Sequence, residues 1–141
     1  MFMKSIQSLC LIQSILMKTD LSNATFIIPI RIESDDRLRN VVTSIAFLVE
    51  NFDTNIIVKE VDKESVFQTE VLPIFEEILE VDLWKNFHHI FERSEEPLFH
   101  RQRVLNEMIA ECETDIVVNY DCDVILPMKS YKLAYDGIME D

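Results

Sequence analysis

Asp121 and Asp123 stand on either side of Cys122, just beyond the run Ile116-Val117-Val118-Asn119-Tyr120. In an extended segment the side chains at i and i+2 project to the same side, so the two carboxylates would face one point. Like charges that close need a cation or a shared proton, and a divalent metal with oxygen ligands is the natural partner. An isolated Asp-x-Asp is also short enough to be a polar turn arising by chance. The elements around it decide between the two.

Those elements are legible from periodicity. Residues 25–30, Thr-Phe-Ile-Ile-Pro-Ile, are β-branched and aromatic without alternation, which predicts a buried parallel strand. Pro29 cannot donate to a ladder and is expected to end it. Ser34 reads as an N-cap before Asp35 and Asp36. Leu38, Val41, Val42, Ile45, Leu48, Val49 and Phe52 then follow helical spacing and predict an amphipathic helix. Its acidic first turn makes that helix start a poor seat for phosphate. Residues 55–61 predict a second strand. Residues 64–80 predict a helix interrupted at Pro73. Residues 86–92 predict a third strand, with His88 and His89 on opposite faces, one partly buried and one exposed. Pro97 suits the first turn of the next helix. Its inward stripe reads Leu98, Leu105, Met108, Ile109 and Cys112, and Arg101 falls on the same stripe. A buried arginine needs a partner, either a carboxylate or an anionic ligand. Residues 115–120 predict a fourth strand and 128–139 a closing helix.

The order helix, then β-α-β-α-β-α-β, predicts one α/β domain over residues 1–141. It is expected to be a three-layer, Rossmann-like unit with a mostly parallel sheet of about four strands and right-handed crossovers. Ile6, Leu9, Ile12 and Leu16 place an N-terminal amphipathic helix within residues 1–20, suited to covering the sheet or mediating a homodimer. Ligands of such sheets bind beyond the carboxyl ends of the strands. That rule gathers Arg31, Glu60, Asp121 and Asp123 on one rim, with Arg101 in the helix leading into the fourth strand.

Composition narrows the ligand. The chain carries 26 Asp+Glu against 13 Lys+Arg, a net charge of −13. That excludes a nucleic-acid binder working by phosphate neutralisation, and it means an anionic ligand needs a local arginine or metal. The single glycine, Gly137, excludes a P-loop and a dinucleotide fingerprint. Cys10, Cys112 and Cys122 are scattered, which argues against a disulfide framework or structural zinc and predicts a reducing, cytoplasmic setting. No apolar run reaches the length of a membrane span, and the polar interruptions in residues 3–18 do not suit a signal peptide.

Three motifs carry a family likeness. Phe26-Ile27-Ile28-Pro29-Ile30-Arg31, then Phe99-His100-Arg101-Gln102-Arg103-Val104-Leu105-Asn106, then Asn119-Tyr120-Asp121-Cys122-Asp123-Val124-Ile125-Leu126-Pro127 occur in that order. Together they resemble the nucleotide-sugar half of GT-A glycosyltransferases, most closely the galactosyltransferase-type pattern, over roughly residues 25–130. The resemblance implies a UDP-hexose donor, UDP-glucose or UDP-galactose, with Mn²⁺ or Mg²⁺. It implies that Pro29, Ile30 and Arg31 line a uridine pocket and that Glu60 lies near the uracil or ribose. Phe99 and Arg101 would contact the nucleotide, and Asp121 the ribose or donor sugar. Asp123, with Asp121, would hold the metal. Cys122 would share the donor site. The chain departs from the pattern at His100, where asparagine is usual, and at Cys122.

The resemblance covers a donor half. The acceptor is left open, and Glu33, Asp35, Asp36 and Asp136 are equivalent by type as a catalytic base. Glycosyl transfer, with donor hydrolysis as a side reaction, therefore stands beside a non-catalytic nucleotide-sugar-binding module that needs a partner chain. A nucleotidyltransferase would be expected to carry a glycine-rich loop. A receiver-like acidic pocket would place its carboxylates after the first strand.

Overall fold

The computed structural model describes residues 18–140; the expected helix at 3–18 falls outside them except for its last residue. Four strands form one sheet: β1 (Thr19–Ile30), β2 (Phe52–Asp62), β3 (Phe87–Arg93) and β4 (Ile116–Asn119). Their order is β3-β2-β1-β4, and every neighbouring pair is parallel. The helices are α1 (Asp35–Asn51), α2 (Leu72–Ile78), α3 (Arg101–Glu111) and α4 (Met128–Glu140).

Alternation along the strands explains the layers. Phe26, Ile28 and Ile30 enter one core with Ile56 and Val58, while Ile27 enters a second with Val61. A strand buried on both faces reads as a continuous apolar run, as residues 25–30 do. Val41, Ile45 and Leu48 of α1, Phe67 and Phe75 around α2, and Tyr131 and Tyr135 of α4 pack on the first core. The second core is closed by Val104, Leu105 and Met108 of α3. The chain therefore changes face after β3 and returns on the far side of β1. β1 is flanked by strands whose connections cover opposite faces. In doubly wound sheets a crevice opens at that switch point, outside the carboxyl ends of the strands.

Several boundaries differ from expectation for local reasons. β1 starts at Thr19, ahead of residue 25, and its register shifts between Asp20 and Thr25, across the polar residues Ser22 and Asn23. Phe52 opens β2 with extended dihedrals while its amide still caps the carbonyl of Leu48. Residues 64–80 divide into a π-turn, Phe67–Val71, and α2, with Pro73 in the first turn of α2. α3 begins at Arg101, not at Pro97. Leu98 consequently lies in the preceding loop, 67 % exposed, and the buried stripe is Val104, Leu105 and Met108, with Ile109 half exposed.

Pro29 does not end β1, which continues paired with β2 through Ile30 opposite Glu60. It ends the ladder with β4. The carbonyl of Ile27 accepts from the amide of Tyr120 at 3.1 Å, so Pro29, two residues on, faces the same neighbour. The next ladder bond would run from an N–H at position 29 to the carbonyl of Tyr120. Proline has no N–H, and β4 stops at Asn119.

Candidate functional site

Where β4 stops, a cleft of about 640 Å³, mouth included, opens at the carboxyl end of β1. β1 delivers Pro29, Ile30 and Arg31 to its wall; the segment after β4 delivers Tyr120, Asp121, Cys122 and Asp123; the approach to α3 delivers Phe99 and Arg101. Residues around the start of α1 add Glu33 and Arg37. All the sequence-predicted site residues except Glu60 are thus brought together.

Arg31 is 9 % exposed. Its Nε donates to the carbonyl of Val61 at 2.7 Å, and its Nη1 donates to the carbonyls of Glu96 and Pro97, both at 3.1 Å. The guanidinium lies 5.6 Å from the ring centre of Phe99, within cation–π range. Its Nη2 is buried without a hydrogen-bond partner. A buried donor left unpaired is costly, and in a cleft wall it points to a ligand acceptor. Arg101 is exposed at the first turn of α3, with Nη2 donating to Oδ1 of Asn119 at 3.2 Å. The buried arginine of the site is therefore Arg31, and the expected burial of Arg101 is corrected by the later start of α3.

The arginines divide by location. Arg39 is held by Asp36, Arg93 by Glu95, and Arg103 by Glu92 and Glu107. Among the described residues, none of the three cleft arginines, Arg31, Arg37 and Arg101, forms a carboxylate ion pair. In a chain of net charge −13, carboxylates are abundant, and three cations in one cleft remain open to an external anion.

The two aspartates do not occupy an extended segment. The amide of Asp123 donates to Oδ1 of Asp121 at 3.2 Å, and the amide of Val124 donates to the Asp121 carbonyl at 3.2 Å. This is a tight turn, closed by the Tyr120 hydroxyl donating to the carbonyl of Val124 at 2.8 Å. Asp121 and Asp123 are both exposed in the cleft wall. No cluster of three or more His, Cys, Asp or Glu suited to a metal occurs among the described residues. Two hard carboxylates fit a Mg²⁺- or Mn²⁺-type ion that takes its remaining ligands from phosphate oxygens and water, as Mg²⁺ commonly does. Cys122, between the two aspartates, is buried. Burial pushes its thiol up to about 11, reinforced by Asp121 and Asp123 against the opposing effects of Ser44 and Arg37, so it stays protonated near neutrality.

Glu60 is placed elsewhere. It is fully buried and faces the first core. Its carboxylate accepts from the Ser65 hydroxyl at 2.6 Å and the Phe67 amide at 3.0 Å, and lies 3.3 Å from Nε2 of His89. Burial raises its pKa, yet the bonds from His89, Ser65 and Phe67 outweigh that and hold it below the ordinary glutamate value. Glu60 thus anchors the π-turn rather than the cleft. His89 is the partly buried ring, stacked 4.5 Å from Phe67, and His88 is exposed.

Of the four carboxylates equivalent by type, only Glu33 lines the cleft. Arg37 was missed because the acidic first turn of α1 dominates the local signal. Its place three residues after the Ser34 cap, whose hydroxyl accepts from the Arg37 amide, is the clue that fixes its position. Among the described residues no helix is long and apolar enough to cross a membrane. No family model, curated protein or solved structure matches the chain.

Proposed function

We propose that the chain binds a UDP-hexose, UDP-glucose or UDP-galactose, together with a divalent metal, and transfers the hexose in the manner of GT-A glycosyltransferases. The observation that carries this reading is the charge pattern of the cleft. Three arginines without carboxylate partners surround a turn that presents two exposed carboxylates. A ligand that satisfies both must be anionic and able to share a cation, which describes a metal-bound diphosphate. The order of the three motifs that resemble GT-A enzymes supports the same assignment.

In this reading Arg31, Arg37 and Arg101 bind the diphosphate through charge-assisted hydrogen bonds, and Phe99 lies beside the nucleotide. Asp123 and Asp121 hold Mn²⁺ or Mg²⁺, which when bound would supply Lewis-acid stabilisation of the leaving diphosphate. The arginines lower the barrier further, because they are fixed before charge develops on the leaving group. Glu33 is the remaining carboxylate on the cleft wall, and in this reading it would receive the proton from an acceptor hydroxyl or water.

Calorimetric titration of UDP with and without Mn²⁺ tests the binding half. Affinity should rise with Mn²⁺, and Asp123→Ala should abolish the difference; equal affinity in both conditions would sink the metal-bridged reading. A panel of nucleotide sugars with Mn²⁺, followed by UDP release, tests the chemistry. Tight UDP binding with no release from any donor would instead favour a binding module.

A further inference from the structure

Asn40 lies on α1, outside the three motifs that mark the cleft. Its side-chain amide donates to Oδ1 of Asp123 at 3.0 Å. One turn further along α1, the Ser44 hydroxyl donates to the Asn40 carbonyl at 2.6 Å. The side chain of Asn40 thus ties α1 directly to the aspartate turn. Both Asn40 and Asp123 are exposed, so this bond contributes little to folding and the fold does not require it.

We propose that Asn40 is a positioning residue for the cation-binding carboxylate, occupying one oxygen of Asp123 and leaving the other for a divalent metal. The inference rests on the metal-dependent reading given above. The residue type fits the task. An arginine or lysine here would neutralise Asp123 and compete with the cation, and an aspartate would repel it. An asparagine fixes the carboxylate through a neutral donor and leaves its charge intact. Arg39, the adjacent cation, is engaged with Asp36 instead. Ligand carboxylates of metal sites are themselves commonly hydrogen-bonded, and loss of such a partner costs about ten- to hundred-fold in metal affinity.

The test uses the full chain and UDP with Mn²⁺ as probe. Calorimetry gives UDP affinity with and without the metal, and the electron paramagnetic resonance spectrum of Mn²⁺ reports its immobilisation beside UDP. Asn40→Ala should weaken Mn²⁺ binding in the presence of UDP by about ten- to hundred-fold. Its metal-free UDP affinity and melting temperature should match the parent. Asn40→Gln, which keeps an amide donor, should recover part of the loss. Unchanged Mn²⁺ binding in Asn40→Ala would overturn the positioning role, and so would an equal fall in metal-free UDP affinity. A parent protein whose UDP affinity ignores Mn²⁺ would remove the metal reading itself, and this inference with it.

Discussion

Arg31 anchors the fold and, in the proposed reading, also binds the ligand; substitution tests both roles. Its Nε and Nη1 satisfy the carbonyls of Val61, Glu96 and Pro97, whereas Nη2 is left over. Arg31→Ala should destabilise the protein by on the order of 2 kcal/mol, because the buried Val61 carbonyl and the part-buried carbonyls of Glu96 and Pro97 lose their donor, and should also weaken metal-free UDP binding. Arg31→Lys keeps the charge but not the planar fork, so it should retain some binding while still lowering the urea midpoint. An unchanged midpoint in both variants would contradict the anchoring role. Arg31, Asp121 and Asp123 were legible in the sequence because each lies just beyond a strand that periodicity located. Glu60 closes a strand as well, but position along a strand does not tell which face a side chain takes. Its even-numbered place beside Val58 sends it into the first core. Arg37 was hidden by Asp35 and Asp36, whose charge says nothing about where a longer side chain three residues on can reach.

Among the elements, the π-turn Phe67–Val71 depends most visibly on one buried charge. Glu60 accepts from the Phe67 amide and the Ser65 hydroxyl, with His89 stacked on Phe67. Its pKa in the folded protein lies below the ordinary glutamate value. The stability it contributes is therefore present above the unfolded pKa and lost as pH falls through the folded one. Glu60→Gln should lower stability by about 1–3 kcal/mol near neutrality, and the gap should narrow in acid. Urea unfolding across that range measures it, and a gap that widened in acid would contradict the assignment. The strands and α1 were readable because apolar spacing was regular. The start of α3 was not. Pro97 is an acceptable first-turn residue, and nothing local announces that Glu96 to His100 instead form a loop, in which the carbonyls of Glu96 and Pro97 accept from Arg31.

For the whole molecule, the net charge of −13 opposes compaction. A local network resists it on the second face: Lys59 pairs with Glu107 at 2.6 Å, and Arg103 joins Glu107 and Glu92 at 2.7 and 2.8 Å, tying α3 to β2 and β3. Lys59 is buried, but its carboxylate partners and Arg103 reach solvent, and solvent-screened pairs are individually weak, so the global repulsion should dominate. Raising salt from about 0.01 to about 0.1 M shortens the screening length from about 30 to about 10 Å and should raise the melting temperature. A fall would show that the network outweighs the excess charge. The sheet order itself was not legible. Alternating elements predict parallel pairing, but only the switch of α3 to the opposite face places β4 beside β1.

The missing N–H of Pro29 gives the cleft an unusual origin. A better-formed sheet and an open site are opposed at this position: every further rung between β1 and β4 would draw the aspartates into the ladder and shut the crevice. The cleft lies where that one hydrogen-bond donor is withheld. A change that perfected the hydrogen bonding there would add order and remove the place where a ligand could sit.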